Sequence, residues 1–339
     1  MAKHTEIKEL GEFGLIDKLT GDFKARTAST VKGVGDDAAV ITAGDKYLLV
    51  STDLMLEGIN FDLVYFPLKH LGYKAVVVGI SDILAMNGKP THIMVSLGVS
   101  SKFSVERLTE LYSGIGAACE EYGLDLAGGD TSASVNGLVI NITALGEVAS
   151  ERIAYRSGAK PNDLICITGD LGAAYMGLHL LEREKRAFAG NDNPQPDFKG
   201  YEYLLQKQLR PMARKDIIDS LTENDITPTS MIDLSDGLAS DLLQICKSSS
   251  CGARIYLDRI PIARETYRMA EELNADPVVA ALNGGDDHEL LFTIPLDMKD
   301  KISRVGGIEI IGHIAEQEKG AVLATPDGSD IRIQAPGFK

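Results

Sequence analysis

The chain has 339 residues, 44% hydrophobic and 24% charged, the make-up of a globular protein long enough for two domains. Lys plus Arg number 34 against 49 Asp plus Glu, a formal net charge of −15; this excludes a basic nucleic-acid surface but not a nucleotide held through metal ions. No run approaches the ~18 apolar residues of a membrane helix. The N-terminus lacks an apolar signal core and Cys119, Cys166, Cys246 and Cys251 form no CxxC pair, so a cytoplasmic protein with reduced, buried thiols is expected.

Leu10, Phe13, Leu15, Ile16 and Leu19 recur at roughly helical spacing, so 6–19 predicts an opening helix and 20–32 a polar loop. Strands are expected at 38–41 and 47–52 around a turn at 43–46. The apolar run 68–86 is long enough for a mostly buried helix. Asp82 lies near its C-terminal end, where the helix dipole disfavours a bare carboxylate, and therefore demands a partner. A strand at 92–100, a helix at 104–122, a short strand at 124–127 running into Gly128-Gly129-Asp130-Thr131, and a strand at 138–148 complete an alternating first half.

Polar, turn-rich residues at 149–162 place a domain boundary, giving domains 1–149 and 150–339. The second half reads as a strand at 164–168, a helix at 171–183, a mobile loop at 189–199, helices at 200–209 and 212–221, a strand end at 231–234 and a helix at 236–247. A strand at 254–257, a helix at 263–273, strands at 290–294 and 308–313 and a hairpin across 321–333 follow. The fold class is α/β (α+β mixed).

Acidic segments carry the chemistry. They are Gly33-Val34-Gly35-Asp36-Asp37, Ser51-Thr52-Asp53, Ser81-Asp82, Gly129-Asp130 and Asp233-Leu234-Ser235-Asp236. Singly, each has an ordinary reading as a turn or a helix cap. Together they stand at element ends or beside glycines, where ligand sites concentrate. Two carboxylates ~4 Å apart repel by roughly 4 kcal/mol at an effective dielectric near 20, so gathering several requires cations. Oxygen-only ligands suit Mg²⁺, with phosphates completing its shell. In an extended chain Asp36 and Asp37 point to opposite faces, so only one reaches a given ion. There is no P-loop, no GxSxG elbow and no HExxH motif. Gly33–Ala38 spells GxGxxA, but polar residues precede it and a strand follows it, the wrong context for a dinucleotide fingerprint.

The segments GVGDDAAV (33–40), STDLMLEGINF (51–61), GYKAVVVGISDILAM (72–86), GGDT (128–131), RSGAKPND (156–163), IDLSDGLASDL (232–242), CGARI (251–255) and GGDDHELLFT (284–293), in this order, resemble the thiamine-monophosphate kinases of the aminoimidazole-ribotide-synthetase-like superfamily. The resemblance implies direct, in-line transfer of a phosphoryl group from ATP to thiamine monophosphate with Mg²⁺. It also implies a two-domain fold dimerising through its N-terminal sheet. By motif position it makes Asp37, Asp53, Asp82, Asp130, Asp233 and Asp236 metal ligands assisted by Ser51 and Thr52, with Asp53, Asp130 and Asp233 central to catalysis. Tyr112, Gly129, Asp130, Arg156 and Ser235 match ATP positions, and Asn60, Asp286 and Phe338 substrate positions. Two positions depart from the family pattern: Asn60 stands where His is frequent, and Asp286 where Glu is frequent. Rival readings are the superfamily's aminoimidazole ribotide synthetases and selenophosphate synthetases, or a non-catalytic protein binding Mg-nucleotide. The first cysteine, Cys119, lies far from the N-terminal segment where selenophosphate synthetases carry a reactive one.

Overall fold

The computed structural model describes residues 6–187 and 198–335. Phe338 and positions 189–197 of the expected mobile loop lie outside the described residues. The chain opens with helix α1 (Ile7–Thr20) and strands β1 (Thr30–Lys32), β2 (Ala39–Ala43) and β3 (Lys46–Leu56). Helix α2 (Leu68–Ala85), β4 (Lys89–Val99), α3 (Val105–Tyr122), β5 (Asp125–Ala133) and β6 (Val139–Ala149) follow. The six strands form one sheet in the order β1-β2-β3-β6-β4-β5. Only β4 and β5 are parallel, as a crossover through α3 requires.

Alternation along β6, and along β4 beyond its bulge at Pro90–His92, gives this sheet one apolar face, with Ile93, Val95, Leu97, Ile140, Ile142 and Ala144 all buried. That face is covered by α2, which is apolar around its whole circumference and correspondingly buried. Ser104 caps α3, accepting from the Arg107 N–H at 3.4 Å, and Gly123 ends it in the left-handed conformation at φ 70°. The expected strand at 124–127 instead runs through Gly128–Thr131 to Ala133, because β4 offers a full parallel partner.

The second half contributes β7 (Leu164–Thr168), α4 (Ala173–Ala187), α5 (Glu202–Leu209), α6 (Lys215–Glu223), β8 (Ser230–Leu234), α7 (Leu238–Ser249) and β9 (Gly252–Tyr256). After these come α8 (Arg264–Glu272), α9 (Pro277–Asn283), β10 (Glu289–Ile294), β11 (Ile308–Ala315), β12 (Ala321–Ala324) and β13 (Asp330–Arg332). Its seven strands are ordered β13-β12-β9-β11-β7-β10-β8. Strands β7 and β10 and the edge strand β8 are buried at every residue, so apolar side chains on both faces find cover. On one face Ile167, Ile232 and Leu291 pack with Leu238, Leu242 and Ile245 of α7. On the other, Met231, Leu290 and Phe292 join the same core as Ile80, Ile83 and Leu49 of the first half. One core therefore joins the two sheets, and α2 lies at its centre.

Candidate active site

Three separate elements bring carboxylates together. Asp37 precedes β2, Asp82 lies in the last turn of α2, and Asp233 is near the end of β8. One oxygen from each lies within 4.8 Å of the others. Asp37 and Asp233 are buried and Asp82 is half-buried. Ser81, one residue before Asp82, donates its hydroxyl to Asp233 Oδ2 at 2.7 Å, pinning α2 to β8.

The electrostatics are those of an acid cluster whose burial and mutual repulsion outweigh the countercharge of Arg156 and His288. Burial pushes Asp37 up to about 7, Arg156 opposing it and Asp233 adding to it. Burial likewise pushes Asp53 up to about 7, with Asp233 adding and His288 opposing. Asp82 is raised well above the carboxylate range by burial and then by Asp53, Asp233 and Asp37. The buried Oδ2 atoms of Asp37 and Asp53 find no hydrogen-bond partner among the described residues. Unpaired buried oxygens beside an oxygen-only trio are the donor set a hard divalent cation requires, so these residues fit Mg²⁺.

Asp36 and Asp37 sit in a bend rather than an extended segment, and both reach Arg156 through different atoms. Asp36 Oδ1 accepts from the Arg156 main-chain N–H at 3.0 Å, and Lys32 Nζ lies 3.6 Å from Oδ2. Asp37 Oδ1 accepts from Arg156 Nη2 at 2.8 Å and Nε at 3.2 Å. Arg156, expected at the nucleotide, is thus turned onto the acid cluster, with Phe13 of α1 stacked 5.8 Å from its guanidinium carbon.

Several expected members stand elsewhere. Ser51 donates its hydroxyl to the Gly79 carbonyl of α2 at 3.0 Å rather than facing the trio. Thr52 bonds Asn141 and Thr143 on the sheet's opposite, exposed face, since neighbours in a strand alternate. Asp130 follows the same rule. Its register partner is Ser96, which pairs with Asn141, which pairs with Leu54, so its row belongs to the face opposite Asp53. Both Asp130 and Gly129 are exposed on edge strand β5. Tyr112 is 37% exposed on α3 and is not among the residues lining the cleft described next.

A cleft of about 730 Å³ opens between the halves, with Asp53, Asn60, Ser235, Asp236, Asp286 and His288 on its walls. Asn60 is spent on its own turn, accepting from the Leu56 N–H at 2.9 Å. Ser235 and Asp236 are exposed there. Behind Asp236, buried Asp241 accepts from its main-chain N–H at 3.2 Å, and Asp241 is raised well above the carboxylate range by burial and by Asp236 and Asp233.

The far wall is the run Asp286-Asp287-His288-Glu289, four ionisable residues in succession that alternate between two environments. Asp286 and His288 face the cleft, with His288 Nε2 3.1 Å from Asp286 Oδ1 and Nδ1 3.8 Å from Asp233 Oδ2. Burial alone would lower His288, but Asp233 and Asp286 raise it to about 9. Burial would raise Asp286, yet Lys74 and His288 hold it well below the usual carboxylate range. Asp287 and Glu289 face inward. Asp287 accepts from the Gly172 N–H at the start of α4 at 3.0 Å. Glu289 takes Arg214 at 2.6 Å, Lys207 at 3.0 Å and the Thr168 hydroxyl at 2.6 Å. Asp286 (φ 65°) and His288 (φ 51°) occupy the left-handed region, which these residue types tolerate better than most, and the inward anchors hold them there.

Residues 35–148 match the model of the AIR synthase related protein N-terminal domain, and 160–331 that of its C-terminal domain. The thiamine-monophosphate kinase of Bacillus subtilis (strain 168) is 32% identical over 337 residues, covering 97% of this chain and 99% of that one. That of Buchnera aphidicola subsp. Schizaphis graminum is 36% identical over 324 residues, covering 93% and 94%. The chain belongs to the thiamine-monophosphate kinase family. Among solved structures, AaThiL complexed with AMPPCP and TMP superposes with a TM-score of 0.84 at 30% identity, covering 100% of this chain and 99% of that one. The mixed α/β, two-domain fold expected from sequence is the one this thiamine-monophosphate kinase structure shares.

Within that family frame, the residues missed in sequence are Lys74, Asp241, Asp287, His288 and Glu289. The legible signal was the density of ionisable groups in Asp286–Glu289 leading into an apolar strand, and a lysine at the start of the apolar stretch of α2. Both mark charges that must be paired when buried.

Proposed function

We propose that the protein transfers the terminal phosphoryl group of ATP to the phosphate of thiamine monophosphate, producing thiamine diphosphate and ADP. The observation carrying this reading is the convergence of Asp37, Asp82 and Asp233 next to Asp53, which lines the cleft, in a chain similar over its full length to a structure holding an ATP analogue and TMP. An oxygen of the acceptor phosphate attacks the terminal phosphorus as the bond to the ADP oxygen breaks. That nucleophile is already ionised, so the site needs alignment and charge neutralisation rather than a strong base.

Asp37, Asp82, Asp233 and Asp53 would hold Mg²⁺, which when bound supplies the positive charge that the polyphosphate and the carboxylates share. Asp236, at the cleft wall, would join the same ligand set. Arg156, bonded to Asp37 here, would suit a phosphate through its planar fork. Asp286 and Asn60 belong to the acceptor end of the cleft. In this reading 1–149 supplies most of the acid cluster and 150–339 completes the cleft. Leu54 and Met94 on the uncovered sheet face, 56% and 36% exposed, favour a homodimer through that face, which carries Asp130 with it. The four cysteines are free thiols, which suits the cytoplasm. Among the described residues no helix is long and apolar enough to cross a membrane.

Mg·ATP with thiamine monophosphate should yield thiamine diphosphate, and a background-level yield sinks the assignment. Asp53→Asn should cut kcat by about 100-fold or more, the scale of losing transition-state charge stabilisation, with the thermal midpoint retained. Near-normal turnover would remove Asp53 from the phosphoryl-transfer machinery.

A further inference from the structure

Lys74 is 1% exposed, among the most completely buried large side chains of the molecule. A lysine so placed must be paired and hydrogen-bonded. It donates to the Gln208 main-chain carbonyl at 2.9 Å and forms an ion pair with Asp286 Oδ2. His288 holds the other carboxylate oxygen at 3.1 Å. Both oxygens of Asp286 are thus clamped from the protein side, and each keeps a further lone pair for a ligand in the cleft that Asp286, Lys74, Gln208 and His288 line together. The clamp joins α2, α5 and the segment before β10, all anchored independently of Asp286. Asp286 is one methylene shorter than a glutamate, so a firm rear anchor, rather than side-chain reach, sets where its oxygens stand.

We propose that Lys74 is the positioning residue for the acceptor end of the cleft: by clamping Asp286 it orients an anionic acceptor toward the cationic, amino-bearing ring system of thiamine monophosphate, and it acts on that substrate's binding alone, not on ATP. This rests on the assignment of the cleft to thiamine monophosphate. A fixed carboxylate favours a ring that carries positive charge or donates N–H over a neutral one.

Steady-state kinetics with Mg·ATP on full-length Lys74→Met, Asp286→Asn and the double variant test it. Lys74→Met should raise KM for thiamine monophosphate about tenfold or more, the weight of one hydrogen bond to a charged group. KM for ATP and kcat should stay within about threefold, because uniform binding is what has been lost. Asp286→Asn should behave alike, and the double variant should be no worse than Asp286→Asn, since Lys74 acts through that carboxylate. A further KM rise in the double variant, a matching rise in KM for ATP, or a loss confined to kcat would overturn the proposal. If Lys74→Met does not fold for want of a countercharge, the comparison of Asp286→Asn with the uncharged double variant decides the same point. If the wild type makes no thiamine diphosphate, the functional assignment fails, and calorimetric titration of thiamine monophosphate into the same variants still judges Lys74: equal weakening upholds it, undiminished binding to Lys74→Met rejects it.

Discussion

Asp37 stands where a proton and a cation compete for the same oxygen. Its ordinary value of 3.8 is raised to about 7, burial being the main cause. A carboxyl raised on folding favours the folded state while protonated. Its contribution is complete below about pH 3.8 and is lost as pH rises through about 7. A metal ion, by contrast, binds the deprotonated form. Mg²⁺ should therefore raise the thermal unfolding midpoint more at pH 8 than at pH 5, compared with protein in EDTA. An increment independent of pH would show that the ion binds elsewhere. Asp286 behaves in the opposite sense. Held below the carboxylate range by Lys74 and His288 against the effect of burial, it favours the fold above its ordinary pKa and ceases to do so in strong acid. The two carboxylates differ because buried Asp37 has Asp233 and Asp36 set against Arg156, whereas half-buried Asp286 lies between Lys74 and His288.

At the scale of elements, α2 organises the site, carrying Lys74, Ser81 and Asp82 on a helix enclosed by the first sheet, α3 and β8. Its approach to α3 is permitted by two glycines. A Cβ on Gly72 would stand 2.0 Å from the Leu111 carbonyl oxygen, and one on Gly114 would stand 1.8 Å from that of Lys69. Backbone cannot yield there as a flexible side chain could. Gly114→Ala should lower stability by about 1–3 kcal/mol, the cost of overpacking, and impair turnover as α2 shifts. Gly116 lies on the same helix, and an added Cβ there meets nothing within 4 Å. Gly116→Ala should stabilise by about 0.5–1 kcal/mol through helix propensity alone. Chemical denaturation of the pair provides the check, and equal effects would refute the close-packing account.

At the scale of the molecule, the shared core makes the halves interdependent. Leu49 and Ile83 belong to the same buried cluster as Met231, Leu290 and Phe292, and Ser81 ties to Asp233 across the junction. Scanning calorimetry of the full chain should show one cooperative transition, and two resolved peaks would contradict it. The exposed face of the first sheet predicts association. Wild-type protein should sediment as a dimer, and Leu54→Lys should shift it to monomer. A monomeric wild type would reject that interface.

Much of this was legible along the chain because local signals agreed with the fold. The apolar run at 68–86 became α2 at Leu68–Ala85, and the strand expected at 138–148 became β6 at Val139–Ala149. Asp82, uncomfortable in an apolar helix, met two further carboxylates. Other features were set by pairing, which spacing does not record. The chain continued as β5 through a glycine-rich segment because β4 supplied its hydrogen bonds. Helix α9, begun by Asp276 accepting from the Val278 N–H at 2.8 Å and by Pro277, was too short for periodicity to announce.

The sequence by itself determined the family, the two mixed α/β halves and the supply of carboxylates, since these follow from motif order and from side-chain period. Only the tertiary structure decided which carboxylates meet. Asp37, Asp82 and Asp233 converge because α2 is enclosed by both sheets, whereas Thr52 and Asp130 fall on the far face because a strand alternates and register fixes each row. Lys74 and Asp286 are 212 positions apart. A buried charge needs its opposite within hydrogen-bond reach, and only the folded chain could provide that opposite from so far away.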